Sequence, residues 1–200
     1  MLSSSYLNKD EYLYSFIEAG FKNKVSPIHL VASAIQEGAS RESYAAVSGN
    51  SGLFYNGQNL NGYYNFFNIG SHEDAFTNSP VARGLAYACG SACGSQFTDF
   101  YGQPWNTREK AIFGGAQFLS NEYLSNGQST LYYKKFDLKG FWHQYMTNIL
   151  APIQEGESAY NGHSETGILD SPIEFDIPVY QNMPNSVSLP EIASIVNTLD

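Results

Sequence analysis

Val31-Ala32-Ser33-Ala34-Ile35-Gln36-Glu37-Gly38 places one acid at the end of an otherwise apolar helical run. Ser26 is positioned to cap that helix with Pro27 in its first turn, and Ile28, Val31, Ala32 and Ile35 recur at i, i+3, i+4 and i+7. One stripe therefore faces a core. Glu37 lies across the helix from it, with Ala34 and Leu30 on its own side, and Gly38 is expected to end the helix. The pattern predicts a mostly buried helix carrying a carboxylate among apolar neighbours. Such a group is costly to ionise, so its pKa should rise toward the range in which it donates a proton near neutrality. That is the profile of a general acid; the bland alternative is a surface glutamate at a helix end.

Working outward, Asn8 to Glu11 reads as a capping box, followed by Leu13, Phe16 and Ile17 at helical spacing and Gly20 as a stop. Beyond Gly38 the pattern dissolves into Ser, Gly and Asn. Phe54-Tyr55 and the aromatic run from Tyr63 to Ile69, divided by Asn56-Gly57 and Asn61-Gly62, predict short antiparallel strands with tight turns. Ser79-Pro80 opens a helix that Gly90 stops, and Thr107 caps another reaching Tyr123, with Asn126-Gly127 ending it. Two adjacent glycines, Gly114 and Gly115, cost that helix roughly 1 kcal/mol each relative to Ala, so they are expected where another group approaches closely. A last helix is expected from Phe141 to Leu150. After Pro152 the composition shifts to Glu, Ser, Gly and Asn with recurring prolines. The domain is therefore drawn over residues 1–154, and 155–200 is read as a linker or tail with Ile173 to Tyr180 packed on it. Deletion from Glu155 is expected to leave measurable activity.

A chain of 200 residues suits one domain with an ample core. Its net charge of -9 with only 10 Lys+Arg, and no basic run, argues against nucleic acid as a partner. Apolar runs fall far short of the roughly 20 residues that span a bilayer, so no membrane insertion is expected. Charged residues make up 14% while aromatics reach 15%, so much of the polarity comes from Asn, Ser, Gln and Tyr. Such a surface suits neutral hydrogen-bonding ligands such as sugars. Cys89 and Cys93 are the only cysteines. Their spacing allows a local bridge, with a structural or incidental role, and makes no convincing zinc site.

A helix with an acid, Gly/Asn-rich strands carrying further acids and then more helices is the arrangement expected when a sugar chain lies between a helical core and a small β-lobe. The class is mainly α (α+β). Glycoside hydrolysis needs an acid for the leaving oxygen, plus a second carboxylate or the substrate's own group at the oxocarbenium-like centre. Glu42, Glu73 and Asp74 are the candidates for the second carboxylate. Glu73 and Asp74 lie in a polar stretch where they should ionise easily and complement an elevated Glu37.

The ordered series Ala34-Ile35-Gln36-Glu37-Gly38, Tyr64-Asn65-Phe66-Phe67-Asn68-Ile69-Gly70, Trp105-Asn106-Thr107, Ala111-Ile112-Phe113-Gly114-Gly115-Ala116, Gly127-Gln128-Ser129-Thr130-Leu131-Tyr132 and His143-Gln144-Tyr145-Met146 closely resembles the glucosaminidase domains of bacterial cell-wall autolysins, glycoside hydrolase family 73. The match covers roughly residues 26 to 150. It implies a lysozyme-like fold and an endo-β-N-acetylglucosaminidase that cuts peptidoglycan glycan strands after N-acetylglucosamine. By position, Glu37 matches the general acid, and Tyr64 and Asn65 match a motif beside the β-lobe. There Tyr64 is expected to stack on a sugar ring and Asn65 to hold an acetamido group. Glu73 falls where many relatives have an Asp, with Asp74 beside it, and Tyr123 and Tyr132 match tyrosines near the cleft. Pro104 before Trp105 and a longer stretch from Cys89 to Gly102 depart from the pattern. The implied protein is a monomer, secreted or wall-associated, with no metal or organic cofactor. Its rivals are a muramidase or lytic transglycosylase on the same fold, and a non-catalytic wall-binding module.

Overall fold

Ser26 and Pro27 begin the central helix as their chemistry requires. The Ser26 hydroxyl accepts the His29 amide N–H at 3.4 Å, and Pro27 occupies the first turn, where its missing donor costs nothing. A computed structural model of the chain describes residues 5–136, 148, 150–170, 172, 176–177, 179 and 181–186. Helix α1 covers Asp10–Asn23 and α2 covers Pro27–Ala34. They are followed by α3 (Ala45–Ser48), α4 (Pro80–Cys89), α5 (Arg108–Glu122), α6 (Leu131–Phe136) and α7 (Ala151–Glu165). The expected helix over Phe141 to Leu150 lies outside the described residues except at positions 148 and 150, and the extended segment Ile173 to Tyr180 except at 176, 177 and 179.

Leu30, Val31, Ala32, Ser33 and Ala34 are all buried, because α2 is covered by α1 on one side and α7 on another. Two details of α1 differ from expectation. Its N-cap is Lys9, with no side-chain cap, so the Asn8 capping box does not form. The helix also continues past Gly20 to Asn23, since Gly20 is buried where a side chain would meet the Val25 carbonyl and the Pro27 ring.

A two-stranded antiparallel hairpin pairs β1 (Phe54–Tyr55) with β2 (Gln58–Asn59), Phe54 opposite Asn59 and Tyr55 opposite Gln58. Asn56 and Gly57 both take positive φ, as the favoured two-residue hairpin turn demands. The run from Tyr63 to Ile69 is not the second strand. Its amides leave the ladder for distant carbonyls, Tyr64 N–H to Trp105 at 3.0 Å and Asn65 N–H to Ala46 at 2.7 Å, and Phe66 and Phe67 turn into the core.

The main core gathers Tyr12, Phe16, Leu30, Phe66, Phe67, Trp105 and Ile112 between α1, α2 and α5. A smaller cluster of Tyr55, Leu60, Leu85 and Phe97 lies under the hairpin with Cys89 and Cys93, which are joined as a disulfide. On α5, Thr107 caps the helix as read, its hydroxyl accepting the Lys110 N–H at 3.2 Å. A side chain on Gly114 would overlap the Trp105 indole and the Tyr101 carbonyl, and one on Gly115 would overlap the Phe67 ring. Gly115→Ala should therefore be destabilising. Overpacking of about 1–3 kcal/mol exceeds the helix-propensity gain of at most about 1 kcal/mol. Thermal unfolding tests this, and an unchanged or higher Tm would contradict it.

Helix α7 runs across the boundary drawn between Gln154 and Glu155. Glu155 is fully buried, accepts a hydrogen bond from the Ser33 hydroxyl, and pairs with Lys134 Nζ at 3.3 Å. Next to Gln154, Gln36 Nε2 donates across to its Oε1 at 3.1 Å. The helix bearing Glu37 is thus tied on its back side to a segment whose composition reads as a tail.

Candidate active site

Helix α2 does not simply stop after Ala34. It widens into a π turn over Ile35–Ala39, inside which Gly38 takes φ 96°. A side chain at that φ is strained, and one here would also press on the Tyr44 ring. The turn sets Glu37 half-buried at the helix end, as the sequence placed it. Facing it is Asn68, a non-glycine residue with φ 48°. Asn68 Nδ2 donates to the Glu37 backbone carbonyl at 2.7 Å and to its Oε2 at 3.3 Å. The Tyr44 hydroxyl donates to Asn68 Oδ1 at 3.0 Å, and burial above all raises the Tyr44 pKa, so this phenol stays a neutral donor.

Glu37, Tyr44 and Asn68 line a cavity of about 590 Å³ together with His72, Arg83 and Tyr123. That volume lies in the range typical of small-ligand sites. Among the described residues Glu37 is the only carboxylate in the lining. The cationic partner in the cavity is Arg83, whose Nη1 donates to the Gly70 carbonyl at 2.7 Å and whose guanidinium lies 5.3 Å over Phe97. Burial and the nearby Arg83 lower the pKa of His72, which keeps it neutral at pH 7.

The remaining sequence candidates separate. Tyr123 lines the cavity and is 4% exposed. Asp74 is spent on the β-lobe. Its Oδ2 accepts the Tyr55 hydroxyl at 2.6 Å and pairs with Arg83 Nε at 3.3 Å, while Oδ1 takes the amides of Phe76 and Thr77. The Tyr55 hydrogen bond, before the other contacts, holds its carboxyl below the usual range. Glu73 is exposed and outside the cavity lining. Glu42 is a surface partner of Lys9 at 3.8 Å.

Tyr64 does not share the cavity. Its ring lies under the Arg108 guanidinium at 5.0 Å, and it lines a separate depression with Tyr12 and Asn106. Asn65 is 1% exposed, donates to the carbonyls of Ile69 and Gly84 and accepts the Ile69 N–H. With that amide saturated and buried, its expected role as holder of an acetamido group gives way to a structural one. Tyr132 stands on α6, 37% exposed with its ring against Phe136, and is not among the residues lining this cavity.

Sequence reasoning did not single out Tyr44, Asn68 or Arg83. Asn68 stood inside a quoted motif, and Asn is a residue type that tolerates positive φ, which was the available signal. Arg83 and Tyr44 carried none. No group of three or more His, Cys, Asp or Glu able to hold a metal ion occurs among the described residues, and no described helix is long and apolar enough to cross a membrane.

No family model matches the chain. It is 30% identical over 171 residues to the beta-N-acetylglucosaminidase of Bacillus subtilis (strain 168), covering 84% of this chain and 16% of that protein. It is 30% identical over 173 residues to a bifunctional autolysin of Staphylococcus epidermidis, covering 84% and 11%. The chain thus spans less than a fifth of either relative. Among solved structures, a catalytic glutamate-to-alanine mutant of S. aureus autolysin E, in complex with the disaccharide NAG-NAM, matches with a TM-score of 0.57 and 27% identity. The match covers 82% of this chain and 64% of that one. Autolysin E in complex with the muropeptide NAM-L-Ala-D-iGlu matches with the same TM-score at 28% identity, over the same shares of both chains. The fold is mainly helical and lysozyme-like, with a small hairpin at its side.

Proposed function

This chain belongs with the glucosaminidase domains of bacterial autolysins, and from that premise we propose that it hydrolyses the β-1,4 bond after N-acetylglucosamine in peptidoglycan glycan strands, with Glu37 as the proton donor. The observation that carries the assignment of the acid is the placement of Glu37. It is the carboxylate among the described lining residues of a ligand-sized cavity, at a kinked helix end, held by a side-chain amide. Protonated Glu37 gives its proton to the departing glycosidic oxygen, and positive charge develops at the anomeric carbon. As carboxylate it then takes a proton from the incoming water, which restores the acid.

The charge at the anomeric carbon must be met from elsewhere. Asp74 is committed to Tyr55, Arg83 and two backbone amides, and Glu73 stands outside the lining. This distribution supports a reading in which the substrate's acetamido oxygen attacks the anomeric carbon and water opens the resulting ring. Glu73→Gln should then lower activity far less than Glu37→Gln does. Asp74→Asn should act mainly through stability, because it replaces a carboxylate that accepts three hydrogen bonds and an arginine. Turnover of N-acetylated against de-N-acetylated glycan, measured for the three variants, tests the reading. Efficient cleavage of the de-N-acetylated strand, together with a Glu73 variant as inactive as the Glu37 variant, would assign the second role to Glu73.

The site of action under this proposal is the cell wall outside the membrane. The Cys89–Cys93 disulfide, which persists in oxidising surroundings, supports that location.

A further inference from the structure

We propose that Asn68 and Tyr44 form a positioning clamp for the proton donor, in which the Asn68 carboxamide fixes the direction of the Glu37 carboxyl and Tyr44 fixes the carboxamide. The inference deepens the proposed function and rests on Glu37 being the acid.

Four features of one small region carry it. Asn68 holds a left-handed conformation, φ 48°, that non-glycine residues adopt infrequently and that clusters at functional sites. Its Nδ2 reaches both the backbone carbonyl and the carboxyl of the same residue, Glu37, so the amide ties the side chain to the turn that bears it. The Glu37 backbone carbonyl can only accept, which settles that the amide N–H end of the carboxamide faces the acid, and its Oδ1 is taken by the Tyr44 hydroxyl. Gly38, next to Glu37, lacks the side chain that would press on the Tyr44 ring, so the π turn and the Tyr44 position depend on one another. All three side chains line the cavity.

The consequence is a defined geometry and a defined proton affinity. An N–H donated to the carboxyl favours its ionised form, so removing that donor makes the proton harder to release. The other titratable and charged groups that face this cluster among the described residues are His72, Arg83, Tyr87 and Tyr123 in the cavity lining, Arg41 near Tyr44, and Lys134 on α6, whose ammonium is favoured by the Glu37 charge. All are left intact by the variants below.

Asn68→Gly is the informative variant, since glycine accepts the same φ and removes only the carboxamide. It should lower kcat by roughly 10–100-fold with little change in KM, the signature of a misplaced catalytic group rather than lost binding. A general acid works protonated, so activity falls as pH rises through its pKa. Loss of the donor raises that pKa, and the alkaline limb of the pH–rate profile should move up by about 0.5–1 pH unit. Tyr44→Phe keeps the ring over Gly38 and should shift both quantities in the same direction by less. Should Asn68→Gly unfold, the Tyr44→Phe profile decides the question by itself. A wild-type kcat and an unmoved alkaline limb in the folded variants would overturn the clamp. If Glu37→Gln is inactive in the same assay, that result leaves the assignment of the acid standing. A fully active Glu37→Gln would instead remove the premise, and with it the clamp.

Discussion

Glu37→Gln is expected to lower peptidoglycan turnover by about 10²–10⁴-fold, the range associated with loss of a general acid. The substitution is close to isosteric. The glutamine carbonyl still accepts from Asn68 Nδ2, which sits 3.3 Å from Oε2 in the parent, so the turn should keep its shape. What disappears is the transferable proton. Because Glu37 is half-buried and its partner is retained, the Tm and the affinity for glycan strands should stay near those of the parent. Activity near the parent level in a folded variant would end the assignment. A large fall in Tm would mean that the loss reports on folding, and the Asn68 and Tyr44 variants would then carry the kinetic argument.

The second large effect concerns stability at the back of the same helix. Glu155→Ala should destabilise the protein by about 3–5 kcal/mol, the cost of removing one partner from a buried ion pair. Lys134 is 1% exposed and Glu155 fully buried, so the ammonium would lose a carboxylate at 3.3 Å without gaining water. Burial already lowers the Lys134 pKa from its ordinary value, and His29, 3.7 Å from Glu155, is pushed down to about 4 chiefly by burial, so at neutral pH it is uncharged and does not share the Glu155 carboxylate with Lys134 as a second cation. The Ser33 hydroxyl, one turn before Glu37, would also lose its acceptor. We therefore propose a catalytic domain that includes α7, and deletion from Glu155 should cost at least as much stability as Glu155→Ala and reduce activity with it. A paired replacement, Lys134→Met with Glu155→Leu, should recover most of the stability, since apolar groups can replace a buried pair at little cost. Urea unfolding of the three proteins checks this. A loss below about 1 kcal/mol in Glu155→Ala would place α7 outside the stable unit.

How far the sequence reaches can be followed residue by residue. Ser26, Pro27, Ser79, Pro80 and Thr107 announced their helices correctly because caps are local and each acts through one hydrogen bond or one fixed dihedral. Asn56-Gly57 announced its hairpin turn for the same reason. The strand expected over Tyr63 to Ile69 failed because its aromatic pattern fits either a strand or a folded turn facing a core, and the choice is made by Trp105, Ala46 and Gly84, all distant in sequence. Asn65 illustrates the point in one side chain, since nothing local says that Gly84 will take its amide. The tail boundary was drawn without long-range information of the same kind. Glu155 sits in a stretch rich in Glu, Ser and Gly, and only the approach of Lys134 and Ser33 makes it a core residue. The half-buried position of Glu37 at its helix end was legible because helical periodicity places an acid on an apolar face without any knowledge of the partners. The clamp of Asn68 and Tyr44 was not, because positive φ and a contact across 31 residues leave no periodic trace.

The central claim is the bond that is cut. Peptidoglycan digested with the protein, reduced with borohydride and analysed by mass spectrometry, reports cleavage and the identity of each new end together. The account predicts new ends recovered as reduced N-acetylglucosamine, absent from the Glu37→Gln digest. Reduced N-acetylmuramic acid at the new ends, non-reducible anhydro ends, or an intact strand despite binding would each contradict it.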